Sequence, residues 1–250
     1  MMNKIFPPML SKPEKIQIFA LIPSWIWVFV LFPMFMPFVG LGIWEEVEIS
    51  VWLEIIYHVA NGVLMFFLFL GYLKEEWFML TTDFRYYLKH IALTVGLVMA
   101  AEFVLLRGVF LFDFLGFETT NLLECLPAVE MSLSLTPLYL IKLKPLLGTI
   151  IVSVIVPISI CALFYCFGFA PICCKKPWVA YLCIAILTLI PHIINILWRG
   201  QVGLELSTYF IRLPLHLLMC WSYQKTDNVF TPLISLSIVN LLTSVVLITL

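Results

Sequence analysis

An all-α bundle of transmembrane helices is the fold class this sequence predicts, and three observations predict it. Hydrophobic residues make up 63% of the 250-residue chain, and mean hydropathy is +1.08. Charged residues make up only 12%, about half the fraction usual in a soluble domain and too few to cover a water-soluble surface. The apolar residues also gather in runs of about 20, the length a helix needs to cross a hydrocarbon core.

The runs predict spans at 16–40, 52–73, 88–112, 146–170, 178–198, 203–222 and 229–250. A further run, 122–141, is weaker because it carries Glu124, Pro127, Glu130 and Pro137, which suit a polar buried span or a re-entrant piece. About eight spans are therefore expected, with seven as the alternative. The opening stretch MMNKIFPPMLSKPEK lacks the apolar core and the cleavage site of a signal peptide. No long linker or low-complexity tract interrupts the pattern, so residues 1–250 read as a single integral membrane domain.

Orientation follows from Lys and Arg in short loops, which favour the cytoplasmic side. With eight spans and a cytoplasmic N-terminus, the inner side holds Lys4, Lys12, Lys15, Lys74, Arg85, Lys89, Lys142, Lys144 and Arg199, against Arg107, Lys175, Lys176 and Lys225 outside. The loop 41–51, with Glu45, Glu46, Glu48 and no base, belongs outside. Without the weak run the split is again nine to four, so charge fixes a cytoplasmic N-terminus, in what reads as a plasma membrane, but not the number of spans. A net charge of −1 supplies no basic surface for nucleic acid. The bilayer is the partner this composition implies.

Seven cysteines lie in the chain. Cys125, Cys161, Cys166, Cys183 and Cys220 sit inside apolar runs, where a thiol behaves as a small hydrophobe. Cys173 and Cys174 are adjacent and lack the CxxC spacing of a metal or redox site. No metal, cofactor or disulfide is expected.

Polar groups inside a span are costly, and each is a candidate site. They are Glu102, His192, Asn195, Glu205, Arg212, His216 and Asn240. Glu205 and Arg212 are two turns apart on one helical face and suit mutual pairing. His192 and Asn240 lie about 14 and 11 residues from the same membrane face, near mid-bilayer at about 1.5 Å per residue. Glu102 lies at similar depth. A Glu, a His and an Asn at one level suit water activation, metal binding or mutual hydrogen bonding, and the expectation is that His192 and Asn240 face one interior cavity.

The C-terminal segment WSYQKTDNVFTPLISLSIVNLL, the run KKPWVAYLCIAILTLIPHIINI and the stretch VPISICALFYCFGF together carry a resemblance. Residues 146–250 resemble the core of the CPBP family, which includes CAAX prenyl proteases and bacteriocin self-immunity proteins. That family carries Glu-Glu-x-x-x-Arg, Phe-x-x-x-His and His-x-x-x-Asn motifs on three helices. The resemblance implies a site within the membrane in which a Glu and two His activate water, with an Asn assisting. In the matching frame Asn240 stands at the family's Asn and His192 at a family His, with Thr188 for the Phe before it. The turn Lys225-Thr226-Asp227-Asn228 and Thr231-Pro232 match the family's tail, and Pro157 matches the Pro before its first motif. The chemistry is mostly lost: Ile160 and Cys161 replace the two Glu, Tyr165 the Arg, and Leu236 the second His. Ile and Leu cannot accept a proton or ligate a metal. A rival register places the first motif at Ala101-Glu102-Phe103, ending Arg107-Gly108, which keeps a catalytic Glu. Pro127-Ala128-Val129-Glu130 is a third trace.

Three functions stay open on the sequence. The first is a CPBP-like protein without catalysis that binds a membrane peptide, lipid or protein partner. The second is an active intramembrane endopeptidase using Glu102, His192 and Asn240, which lacks the three ligands catalytic zinc usually takes. The third is a small-molecule transporter, which would show paired broken helices; Pro23, Pro33 and Pro37 break the first span, with no matching break later.

Overall fold

A computed structural model describes residues 47–68, 70–114, 141, 144–161, 169–173, 176–199 and 202–249, and every regular element among them is helical. The helices are α1 (Val47–Leu68), α2 (Leu70–Thr82), α3 (Phe84–Phe114), α4 (Pro145–Ile150), α5 (Val156–Ile160), α6 (Ala170–Cys173), α7 (Pro177–Arg199), α8 (Val202–Thr226) and α9 (Phe230–Thr249). A π-helical turn, π1 (Ile151–Ile155), joins α4 to α5, so residues 145–160 form one rod with a widened turn at its centre. The spans expected at 16–40 and 122–141, and the residues Cys125, Tyr165, Cys166 and Cys174, lie outside the described residues.

Helix starts follow the chain's punctuation. Pro145 and Pro177 stand at the first helical positions of α4 and α7, where a missing N–H costs nothing and φ is already set. The α8–α9 connection is short because Asp227 takes a left-handed conformation, φ 48°, and its N–H donates to Tyr223 O at 2.8 Å. That single bond ends a helix. Asn228 then opens α9 by accepting the Phe230 N–H on its side chain at 2.9 Å, as an N-capping residue does.

Helix α9 is the packing centre, in contact with α2, α3, α4, π1, α5 and α8. Its buried face is mostly small or polar: Thr231, Ser235, Asn240 and Ser244 are almost fully enclosed, along with the apolar Leu236 and Val239. Small side chains let backbones approach closely, which is how helices associate where no water drives them together. Hydroxyls on these helices mostly bond one turn back: Thr94 to His90 O, Thr188 to Ile184 O, Thr226 to Ser222 O, Thr243 to Val239 O and Ser244 to Asn240 O, all at 2.7–3.0 Å. The same close approach appears at Gly62. A Cβ there would run into the Ile155 side chain and come within 3.3 Å of the Ile155 carbonyl oxygen, so α1 rests its backbone on π1.

The two chain reversals at the ends of α2 and α8 share one end of the bundle. Asn228 Nδ2 donates to Glu76 O at 2.8 Å, and Tyr86 Oη donates to Lys225 O at 3.1 Å. Helix α3 leaves this end. By Phe169 the chain has returned to it, because the Phe169 ring meets Tyr181 edge-on at 4.9 Å and Tyr181 Oη donates to Gln224 at 2.8 Å. At the opposite end Lys144 Nζ lies 5.6 Å over the Trp52 ring.

Polar residues are buried beside the apolar core, and large apolar residues are exposed. Asn61, Glu76, Thr94, His192, His216 and Asn228 are buried, while Phe67, Phe78, Val104, Leu197, Phe210 and many other large apolar residues face outward. Among the described residues, no helix is long and apolar enough to cross a membrane; the helices continue beyond those whose side chains are described, α9 for instance past Val245.

Gly62→Ala should lower stability by about 1–3 kcal/mol, the usual cost of forcing an extra carbon into a filled contact. Thermal or denaturant unfolding in detergent reads the change, and an unaltered midpoint would mean that α1 does not sit on π1.

Candidate functional site

The rod explains why Asn240 is where it is. In π1 the Val156 N–H turns to Ile151 O, a bond five residues back. The next N–H in that register would serve Val152 O, and it belongs to residue 157, which is proline and has none. Asn240 supplies the missing donor: its Nδ2 lies 2.8 Å from Val152 O, and Asn240 is 1% exposed. A buried carbonyl left without a donor costs about 1–3 kcal/mol, so the amide repairs a defect the proline creates.

The two positions at which a CPBP-like frame would place a Glu and a His are filled by packing. Ile160 is 3% exposed and Leu236 fully enclosed, both in the main hydrophobic cluster with Cys161, Met219 and Val239. Neither side chain has a group that accepts or donates a proton.

His192 is held elsewhere. It is buried on α7, its ring 5.9 Å from that of Tyr209 on α8. Tyr209 Oη donates to Ala185 O at 3.0 Å, clasping α7 to α8 one to two turns from His192. His216, also buried on α8, lies within electrostatic reach of both His192 and Arg212. His192 and Asn240 are thus engaged by different elements, α8 and the rod. Glu102 falls on α3 and Glu205 on α8, as does Asn195 on α7, but the surroundings of these three side chains lie outside the described residues. Thr188, at the family's Phe position, is buried with its hydroxyl bonded within α7.

Sequence reasoning missed one buried polar centre. Glu76 is 3% exposed and accepts the Val229 N–H at 3.3 Å, placing a carboxylate at the positive end of α9. Asn228 binds the Glu76 backbone from the same turn. Beside them, burial pushes the Tyr87 phenol up, and Glu76, Tyr86, Asp83 and Asp227 push it the same way, so three carboxylates converge near one ring. Asn228 carries a sequence signal, an Asn just before an apolar helix. Glu76 carries none, because its partner is about 150 residues away in the chain.

Among the described residues no group of three His, Cys, Asp or Glu gathers to hold a metal. Cys183 and Cys220 are free thiols. Neither a family model, nor a curated protein, nor a solved structure matches the chain.

A double-mutant cycle isolates the repair. Asn240→Ala should destabilise by about 1–3 kcal/mol. In a Pro157→Ala background, where residue 157 has an N–H to offer, the same change should cost well under half as much. Equal costs in the two backgrounds would show that Asn240 acts through some contact other than Val152.

Proposed function

We propose that this chain is an integral membrane protein with a CPBP-like core over residues 146–250 that binds a membrane peptide, lipid or protein partner without cleaving it. The observation that carries the reading is the use of its polar residues: the Asn240 amide is committed to Val152 O, while Ile160 and Leu236 pack as core. A hydrolytic site needs a base within reach of its water, and on the rod and α9 that position is apolar.

Residence in the bilayer is supported by the many large apolar side chains that face outward, which suit a lipid solvent. In length alone, leaving aside the apolarity that the described residues do not reach, helices α1, α7, α8 and α9 have 22, 23, 25 and 20 residues, or about 30–38 Å at about 1.5 Å per residue, against a hydrocarbon core of about 30 Å. Seven spans fit the contacts better than eight. Strict alternation over eight would put the α2–α3 and α8–α9 reversals on opposite sides, yet Glu76 touches Asn228 and Tyr86 touches Lys225. With seven, the N-terminus and both reversals are cytoplasmic, and the inner side collects Lys4, Lys12, Lys15, Lys74, Arg85, Lys89, Lys175, Lys176 and Lys225.

Topology tags check the count. Tags at residue 1 and between Thr82 and Phe84 should be shielded in intact cells and a tag after Leu250 accessible from outside; a shielded C-terminal tag would restore an even number of spans.

Catalysis has its own test. The wild-type protein reconstituted in liposomes should leave prenylated and transmembrane peptides intact by mass spectrometry. Cleavage that disappears in both Glu102→Gln and His192→Ala would overturn the non-catalytic reading.

A further inference from the structure

Five cations gather at one end of the bundle. Lys74, Arg85, Lys89, Lys176 and Lys225 are all exposed, and every one lies at the end where α2, α3, α7 and α8 meet. Toward the opposite end α3 and α7 carry Arg107 and Arg199, and Lys144 is half-buried and drawn over the Trp52 ring. Glu75, Asp83 and Asp227 are exposed among the five cations, while Glu76 is withdrawn into the α9 N-terminus. The outward charge of this end is therefore positive.

A second observation places these cations at a defined depth. Trp77 is 52% exposed and Trp178 69%, and both stand next to the cationic ring, Trp77 three residues from Lys74 and Trp178 two from Lys176. The Trp77 ring meets Phe230 edge-on at 5.2 Å, fixing it at the first turn of α9. Tyr86 is also exposed, with its hydroxyl on Lys225 O. Indole and phenol rings collect at the headgroup level of a bilayer, apolar on one side and wet on the other. Lysines and arginines beside them reach outward to the same level.

Resting on the membrane reading above, we propose that this end is a docking surface for anionic phospholipid headgroups of the cytoplasmic leaflet. The cations supply charge complementarity to lipid phosphates, and the indoles hold the surface at headgroup depth. Two chain reversals locked to each other through Glu76 and Asn228 fix the spacing of cations carried on four helices, so the surface is set by the fold and not by one flexible loop. Clusters of four to eight basic residues at this level bind anionic leaflets, with a free-energy contribution that corresponds to about a fivefold change in affinity for each charge.

The experiment titrates the detergent-solubilised protein with phosphatidylglycerol, or with phosphatidylcholine of the same chains, and counts bound lipids by native mass spectrometry. Wild type should prefer phosphatidylglycerol, and the preference should weaken as salt rises. Lys74→Gln/Arg85→Gln/Lys89→Gln should lose about 100-fold in phosphatidylglycerol affinity with phosphatidylcholine binding unchanged, and Lys144→Gln, at the other end, should lose none. Equal binding of the two lipids, retention of affinity in the triple variant, or an equal loss in Lys144→Gln would overturn the proposal. So would a co-purifying protein that the triple variant loses while its lipid binding stays. Alkaline extraction of membranes separates the two layers of inference: release of the chain overturns the membrane reading and this one with it, whereas retention without lipid preference overturns this one alone.

Discussion

A backbone carbonyl that has lost its helical donor must find another inside the protein, and Val152 is the place where this constraint organises the fold. The π turn hands the Val156 N–H to Ile151, Pro157 has no N–H to give, and the next available donor is the amide of Asn240, 88 residues along the chain. In an apolar surrounding water offers no substitute. The rod and α9 must therefore meet at a fixed height, and the other contacts follow from that. Gly62 lets α1 lie against the same turn, the small residues of α9 bring it close to α3 and α8, and Ile160 and Leu236 fill what remains.

How much of this was legible in the sequence depended on the range of each interaction. The helical composition and the burial of His192 and Asn240 could be read from apolar runs and from the cost of polar groups within them. The α8–α9 turn could be read from Lys225 to Asn228, and Asp227 with φ 48° is its hinge. Partners could not be read. Nothing local says that Asn240 answers Pro157, although each is unusual in its own helix, because the π turn that connects them is a property of the folded rod. Glu76 reads as a surface acid in a polar stretch, LKEEW, until α9 brings its N-terminus alongside. The two reversals pack together for the same long-range reason, and charge counting, which gave the same split for seven and eight spans, had no means of pairing them.

The rod and the α7–α8 pair use polar residues in different ways. Asn240 has one donor on one carbonyl at 2.8 Å, an arrangement that fixes a distance and does nothing else. The α7–α8 pair carries a Tyr–carbonyl clasp, two buried histidines and Arg212 within reach of each other. The α7–α8 pair thus gathers ionisable groups, whereas the rod and α9 carry no charged residue.

That division bears on what the proposed non-catalytic frame can do. A hydrolase core has to hold a base, a water and its orienting donors at one point, and here the positions on the rod and α9 that the family resemblance assigns to proton transfer are the best-packed apolar ones. Packing of this kind resists reversal. A Glu introduced at Ile160 would be an unpaired buried carboxyl, which stays neutral or forces a rearrangement, and a His at Leu236 would displace a side chain with no exposed surface. The helix arrangement does not depend on those groups, because Asn240 and Val152 maintain it without them. A frame held by backbone repair and small-residue contacts can lose its ionisable groups one at a time and keep its shape. Such a shape would suit the proposed binding role, since recognition of a lipid or a membrane segment depends on contour and on charge at the headgroup level, neither of which needs a base.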